Sequence, residues 1–358
     1  PRSLMYGKQR VAVVVPAYNE SGFVGDVLRG MPNYVDLVIA VDDDSDDDTW
    51  AEILTTAAET EPTTETTTAA ARHPNAPATS LAERATVADP VGRVLPVQHR
   101  ENHGAGGAIK TGYMAAVERQ VDLIVTVDGD GQMDPSIMTR FLDPLVGGGP
   151  GYAKGNRLLY REFREQMPRF RFVGNLTLTF LTKIASGYWR MMDPQNGYTA
   201  ISREALIAID IDDLYEYYGY CNDLLVKLNV AGVRIADVPM PALYGDEQSS
   251  IKYGTYVRRV SLMLLRNFLW RINTGLPRRR ALPALVGYYL GAGLTGASLL
   301  LLAWTMLSLV GIGGPAPSSP VSGLLSGVLA VLLGGGLLVG AMTLDRAQNR
   351  RLEVQVSP

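Results

Sequence analysis

The sequence predicts an α/β domain on a mostly parallel, doubly wound sheet, followed by a helix at a membrane surface and a hairpin of two membrane-crossing helices. Three observations carry this. β-Branched runs alternate with helical patterns over roughly the first 250 residues, several of those runs end in acidic or glycine-rich segments, and residues 281–344 contain no charged side chain.

The elements follow in order. RVAVVVPAYNE (10–20) reads as a strand ended by Pro16, DLVIAVDDD (36–44) as a second, RVLPVQH (93–99) as a third and VDLIVTVDGD (121–130) as a fourth. Continuous apolar runs of this length suit strands covered on both faces. SGFVGDVLRGM (21–31) and GAGGAIKTGYMAAVERQ (104–120) carry helical spacing. Strand–helix alternation implies parallel pairing, with ligands at the carboxyl ends of the strands. Residues 55–92, rich in Ala, Thr and Pro and poor in large apolar groups, read as a surface insertion after the second helix. The cytosolic domain is expected over residues 1–252.

Two apolar stretches follow, about 281–310 and 321–344, separated by GIGGPAPSSP. Each exceeds the ~20 residues that cross a hydrocarbon core as a helix. Arg278, Arg279 and Arg280 precede the first, Arg346, Arg350 and Arg351 follow the second, and the linking loop has no basic residue. The positive-inside rule therefore puts both ends of the 281–345 hairpin, and a tail over 346–358, in the cytoplasm. No signal-peptide pattern is expected in PRSLMYGKQR. Residues 253–280 read as an interfacial helix and basic linker. Tyr253, Val257, Val260, Leu264 and Phe268 share one side, expected toward lipid, with Arg259 and Arg266 opposite. An amphipathic helix packed on the domain has the same pattern.

Composition narrows the function. With 47% hydrophobic residues and a net charge of -3, this is a folded chain with no overall attraction for nucleic acid. Cys221 is the single cysteine, and His73, His99 and His103 stand in no zinc-ligand spacing.

The acidic turn DGDGQMDP (128–135) invites a calcium-loop reading. That fails, because Met133 stands where the loop needs glycine and Thr139 where it needs a bidentate glutamate. Asp128, Asp130 and Gln132 instead offer a strand-end set of oxygens for Mg²⁺ or Mn²⁺, which take few protein ligands and fill the shell with water and phosphate. The glycines of GAGGAIKTG admit two readings, a phosphate cradle or close approach of backbone. Lys110 reads as structural.

PAYNE (16–20), VDDDSDDDT (41–49), NHGAGGAIKTG (102–112), DGDGQMDP, GNR (155–157) and DPQNGYTAISREAL (193–206) come in the order and spacing of family 2 glycosyltransferases. The chain resembles their branch of dolichol-phosphate mannosyltransferases and polyprenyl-phosphate glycosyltransferases over about residues 10–252. That resemblance implies a GT-A fold. It also implies inverting transfer of a single hexose from a UDP-glucose or GDP-mannose type donor to dolichyl or polyprenyl phosphate, feeding protein or cell-surface glycosylation. By the same resemblance Pro16, Tyr18 and Glu20 line the nucleotide pocket with Asp42, Asp43 and Gly106. Asp128, Asp130 and Gln132 hold the metal, and Arg157 faces phosphate.

Asn156, Arg169, Arg171, Asp193 and Asn196 are expected as further donor or acceptor contacts, with headgroup binding the alternative for Arg169 and Arg171. Similar enzymes that glycosylate hydroxyls place a base near Asp223, whereas an anionic lipid phosphate needs none and Asp223 then serves a helix. Two departures stand out: Asp44 replaces the glycine usual in the VDDGS turn, and YGDEQSSIK lacks the arginine usual in its segment, leaving Lys252 as the nearby cation. Two rival readings are a processive polysaccharide synthase, which should carry a QxxRW motif that this chain lacks, and a non-catalytic nucleotide-sugar-binding membrane protein.

Overall fold

A computed structural model describes residues 6–59, 81–160, 169–241, 253–274, 282–310, 312 and 320–356. They fall into two units, Pro1–Phe268 with Arg351–Pro358, and Leu269–Arg350.

In the first unit, nine strands form one mixed sheet: β1 (Val11–Ala17), β2 (Leu37–Asp42), β3 (Ala85–Val87), β4 (Val94–His99), β5 (Leu123–Thr126), β6 (Tyr152–Asn156), β7 (Thr199–Ser202), β8 (Ile235–Pro239) and β9 (Glu353–Gln355), in the order β3-β4-β2-β1-β5-β7-β6-β8-β9. The four strands legible in the sequence, β4, β2, β1 and β5, are neighbours and parallel. β7 runs antiparallel to both β5 and β6, so it joins two parallel blocks, β4-β2-β1-β5 and β6-β8-β9, and β3 is a second reversed strand at the edge beside β4.

The helices are α1 (Val24–Arg29), α2 (Thr49–Glu59), α3 (Leu81–Arg84), α4 (Ala105–Glu118), α5 (Thr139–Leu142), α6 (Arg169–Ser186), α7 (Arg203–Ala208), α8 (Tyr220–Val230) and α9 (Tyr253–Thr274), with α10 (Leu282–Leu309) and α11 (Pro320–Asn349) in the second unit. Helices cover both sheet faces. Val11, Val13 and Val15 meet Leu28, Ile53 and Phe141 on one side, while Val14, Ile39 and Val41 meet Ile109, Tyr113 and Leu224 on the other. This explains why the strand sequences are continuously apolar instead of alternating. Each such Val or Ile contributes about 1.5–3 kcal/mol by its burial. α4 lies so close to β1 that a Cβ built on Gly112 would stand 2.2 Å from Val14 Cγ1.

Three expectations change. β1 runs through Pro16 to Ala17, because Pro16 needs no donor there: its carbonyl accepts from Gly129 N–H. The segment read as the end of the insertion folds as α3 and the edge strand β3, burying Leu81 and Ala85; residues 60–80 lie outside the described residues. On α9, Val260 and Leu264 pack with Met263 against Ala185 of α6 and Val226 of α8, with Phe268 beside them. Of the expected lipid-facing side, Val260, Leu264 and Phe268 therefore cover the domain instead, whereas Val257 is exposed, as are Leu262, Leu265, Leu269 and Trp270; the Tyr253 side chain lies outside the described residues. Periodicity reveals an apolar face but not the apolar phase it meets.

In the second unit, α10 and α11 are long and apolar enough to cross a membrane. Leu300, Leu325, Leu332 and Val339 are exposed, as suits lipid. Small residues let the helices touch: a Cβ on Gly291 would meet the Gly334 carbonyl at 2.9 Å, and one on Gly287 the Ala341 Cβ at 3.0 Å. Within this unit Arg271 forms a bidentate pair with Asp345, both buried, and Tyr288 and Asn349 also bond to Asp345.

Candidate active site

The carboxyl ends of β1, β2 and β5 converge. Gly129 N–H donates to the Pro16 carbonyl (3.1 Å), and Asp43 N–H to the Ala17 carbonyl (2.9 Å). The PAYNE loop, the acidic end of β2 and the Asp128–Gln132 turn are thereby tied to one point. Gly129 lies against β1 so closely that a Cβ there would stand 2.9 Å from the Pro16 carbonyl. That contact holds Asp128 and Asp130 at the sheet edge. Asp130 accepts Gln132 N–H (2.9 Å), and burial pushes its carboxyl above the ordinary carboxylate range. A Cβ on Gly197 would stand 3.1 Å from Asp128 Oδ2, so glycine lets the 193–197 loop lie against that carboxylate without displacing it.

Much of the acid in VDDDSDDDT serves local structure. Asp47 accepts the N–H and hydroxyl of Thr49 and the N–H of Ser21; burial alone would raise its pKa, but these bonds hold it low. Glu52 accepts the N–H groups of Gly22 (2.6 Å) and Gly25 (2.8 Å), fixing the loop after PAYNE. Glu20 N–H donates to the Thr49 hydroxyl (2.8 Å), and Tyr18 is half exposed above this platform. Asp42, buried, accepts Gln98 Nε2 (3.1 Å).

Asp43 belongs to a closed polar ring. Its Oδ1 meets His99 Nδ1 (2.6 Å) and accepts His103 N–H (2.9 Å); His99 Nε2 meets the Thr111 hydroxyl (2.7 Å); Arg84 Nε donates to that hydroxyl (3.3 Å). Arg84 also pairs with Glu216 (2.8 Å), which closes the circuit at His103 Nδ1 (3.6 Å). Burial would raise the Glu216 carboxyl, but Lys110 and Arg84 hold it below its ordinary range, while burial lowers the His103 pKa. Lys110 is structural, donating to Glu216 (2.9 Å) and the Asp212 carbonyl (2.6 Å).

The same loop bears on the glycines of GAGGAIKTG. A Cβ on Gly106 would stand 2.5 Å from the Tyr215 carbonyl, and Gly107 N–H donates to the Glu216 carbonyl (2.8 Å). Close approach of residues 215–216 thus accounts for the glycine at 106.

On the other parallel block, Arg157 grips Asp193 through Nε to Oδ2 (2.7 Å) and Nη2 to Oδ1 (3.0 Å). Asn196 is buried and donates weakly to Asp193 Oδ2 (3.4 Å). Asn156 is also buried, donating to Asp237 Oδ2 (3.0 Å), while Lys154 Nζ meets Asp237 Oδ1 (3.0 Å). Of the expected contacts, Arg157, Asp193 and Asn196 come together, and Asn156 turns into the neighbouring ion pair. Arg169 and Arg171 sit in the first turn of α6, with side chains outside the described residues, as is Lys252. Asp223 is committed: Tyr215 N–H (2.9 Å), Lys227 Nζ (3.0 Å) and Asn267 Nδ2 (2.6 Å) all bond to its buried carboxylate.

Sequence reading missed His99, Thr111, Arg84, Glu216, Lys154 and Asp237. Their partners lie far away along the chain, so no local spacing marks them. Lys154 and Asp237, charged residues inside apolar strands, carried the available signal.

Residues 79–210 match the family described as Glycosyl transferase family 2. The UDP-N-acetylglucosamine–dolichyl-phosphate N-acetylglucosaminyltransferase of Methanococcus voltae is 27% identical over 237 residues, 66% of this chain and 86% of that protein. Polyprenol monophosphomannose synthase of Mycolicibacterium smegmatis is 27% identical over 284 residues, 76% of this chain and 91% of that protein. Undecaprenyl-phosphate mannosyltransferase of Micrococcus luteus is 28% identical over 242 residues, 64% and 82% of the two chains. Among solved structures, glucosyl-3-phosphoglycerate synthase from Mycobacterium tuberculosis, in complex with Mn²⁺, UDP and glucosyl-3-phosphoglycerate, aligns with a TM-score of 0.49 and 20% identity over 72% of this chain and 80% of that one. The match runs from α3 to α7, through the acidic turn and the Arg157–Asp193 pair, and it gives these residues, 79–210, as a glycosyltransferase family 2 domain.

Proposed function

We propose that the protein transfers a single hexose from a nucleotide sugar of the UDP-glucose or GDP-mannose type to dolichyl or polyprenyl phosphate, with inversion, at the cytoplasmic face of a membrane. The observation that carries this reading is the placement of Asp128 and Asp130 at the end of β5, bound through Gly129 to the Pro16 carbonyl beside Asp43. Three relatives named for dolichyl, polyprenol or undecaprenyl acceptors support the choice of acceptor.

Among the described residues, no group of three or more His, Cys, Asp or Glu forms a metal cluster. A pair of carboxylates at a strand end suits Mg²⁺ or Mn²⁺, which keep positions for water and phosphate oxygens. Asp128 and Asp130, with the Gln132 amide, would hold the ion, which supplies Lewis-acid neutralisation of a departing diphosphate. Asp43, fixed by His99 and His103, would orient the nucleoside end of the donor.

The acceptor phosphate is an anion at neutral pH and attacks without a general base. The commitment of Asp223 to Tyr215, Lys227 and Asn267 agrees with that. Residues on both sides of α10 and α11 belong to one folded unit, which favours an even number of crossings. The arginines flanking the pair favour a cytoplasmic domain.

The test incubates the purified full chain, Mg²⁺ and undecaprenyl phosphate with a panel of UDP- and GDP-sugars and identifies the glycolipid by mass spectrometry. One donor class should give a lipid-linked hexose, and Asp130→Ala should not. Absence of product from every donor would overturn the proposal.

A further inference from the structure

The sheet ends on a strand that the chain makes only after α10 and α11: β9 pairs in parallel with β8, Glu353 opposite Ile235. Glu353 is buried, and its Oε1 accepts the N–H groups of Arg190 (2.6 Å) and Met191 (2.9 Å), the latter 162 residues earlier in the chain. Arg190 Nη2 also donates to Gln355 Oε1 (2.9 Å). The next residue is held from the other side, Met192 N–H donating to Asp237 Oδ2 (2.9 Å) and its carbonyl accepting from Lys154 Nζ. Asp193 follows at once, in the left-handed region (φ 49°), with both oxygens on Arg157. Residues 187–193 have no helix or strand of their own. Side chains from β6, β8 and β9 therefore set the path of this segment.

We infer that Glu353 is a positioning residue for the Arg157–Asp193 pair, so that the segment following the two apolar helices completes the transferase site. Its kinetic consequence rests on the function proposed above; its structural consequence does not. A buried N–H at Met191 and a part-buried one at Arg190, left without an acceptor, are costly enough to make residues 190–193 give way. Asp193 and Arg157 would then move together, and small displacements at a transfer site cost rate steeply. The other Glu353 oxygen is buried without a hydrogen-bond partner. Glu353→Gln can put its amide nitrogen there and keep an oxygen on the two N–H groups.

The experiment uses full-length protein in detergent, as wild type, Glu353→Ala, Glu353→Asp and Glu353→Gln. Hydrogen–deuterium exchange should show protection of residues 189–193 lost in the Ala variant, reduced in the Asp variant and kept in the Gln variant, with β1, β2 and β5 still protected in all four. KM for undecaprenyl phosphate should rise about ten-fold in the Ala variant, the worth of one charge-assisted hydrogen bond, while UDP or GDP affinity stays within about two-fold. Unchanged exchange at 189–193 in the Ala and Asp variants would overturn the inference, and so would an unchanged acceptor KM with altered exchange. If Glu353→Ala does not fold, wild-type exchange in Glu353→Asp overturns it and selective loss at 189–193 supports it. A wild-type chain that transfers no sugar would sink the functional reading, and the exchange data would still judge Glu353.

Discussion

Arg157 and Asp193 meet fork to fork, with two guanidinium nitrogens on two carboxylate oxygens and the Arg157 backbone N–H on Oδ2 as a third bond (3.1 Å). The arginine expected to face a lipid phosphate thus has its guanidinium plane fixed by a buried acid. Bidentate geometry sets direction as well as charge, and lysine cannot reproduce it.

Burial alone would raise the Asp193 carboxyl, but Arg157 and Lys154 hold it below the ordinary range. A depressed folded pKa gives stability that is complete above the unfolded carboxylate value of ~3.9 and is lost as pH falls through the folded value. Asp193→Ala should cost about 2–3 kcal/mol at neutral pH, less than for a fully buried pair because Arg157 is 25% exposed. Urea unfolding at pH values from neutral to acid should show wild type losing more stability than the variant at the acid end. Parallel curves would remove Asp193 as the source.

Asp130→Asn should lower transfer by about 100-fold or more, while stability stays within about 1 kcal/mol of wild type. The carboxylate accepts one local N–H, from Gln132, which an amide oxygen can also accept. Turnover with graded Mg²⁺ and a thermal melt, measured on the same preparation, separate the two effects. A melt that falls in step with activity would make Asp130 a folding residue.

How far the sequence could be read depended on whether each signal was local. β1, β2, β4 and β5 are buried on both faces, so their apolar runs announce them. β6 carries Lys154 and Asn156, whose buried partner Asp237, 83 and 81 residues away, pairs with the ammonium and accepts from the amide inside the sheet, so no local pattern marks this strand. β9 is three residues long and follows a membrane-type hairpin, so nothing in EVQ marks a strand. The acidic turn was legible because its carboxylates are adjacent, whereas His99 acquires its role from Asp43, 56 residues earlier. On α9 the spacing of Val260, Leu264 and Phe268 was legible, but that they pack on α6 and α8 is a tertiary fact.

His99→Ala should raise the donor KM about 5–10-fold with a much smaller change in kcat, because it frees the Asp43 carboxylate without touching the Asp128–Asp130 turn. Thr111→Val, which breaks the same ring one step further from Asp43, should give a weaker effect in the same direction. Steady-state kinetics with the nucleotide sugar varied at saturating lipid reads both. An equal fall in kcat and kcat/KM would place His99 in the transfer step instead.

Asp44 sits in the left-handed region (φ 61°), the conformation for which the usual glycine of this turn is suited. The turn therefore keeps its shape, and the departure carries a conformational cost that aspartate bears better than most residues. Asp44→Gly should be stabilising by about 0.5–1 kcal/mol, with donor KM unchanged. Chemical denaturation measures the first and kinetics the second. Destabilisation would mean that the Asp44 side chain makes a contact worth more than the strain.

Asp223→Asn tests whether transfer needs a base at this position. The carboxylate accepts from Tyr215 N–H, Lys227 and Asn267, all donors that an amide oxygen can partly satisfy, so the helix α8, the 212–219 loop and α9 should stay joined. Losing the charge beside Lys227, 7% exposed, should cost stability, about 1–3 kcal/mol. Loss of a general base would lower kcat by about 10²–10⁴-fold, whereas a structural role predicts a fall within about ten-fold at temperatures where the variant is folded. Single-turnover transfer to undecaprenyl phosphate, with folding checked by melting on the same sample, distinguishes them. A large loss of rate in a fully folded variant would show that Asp223 takes part in the chemistry and that the acceptor requires deprotonation.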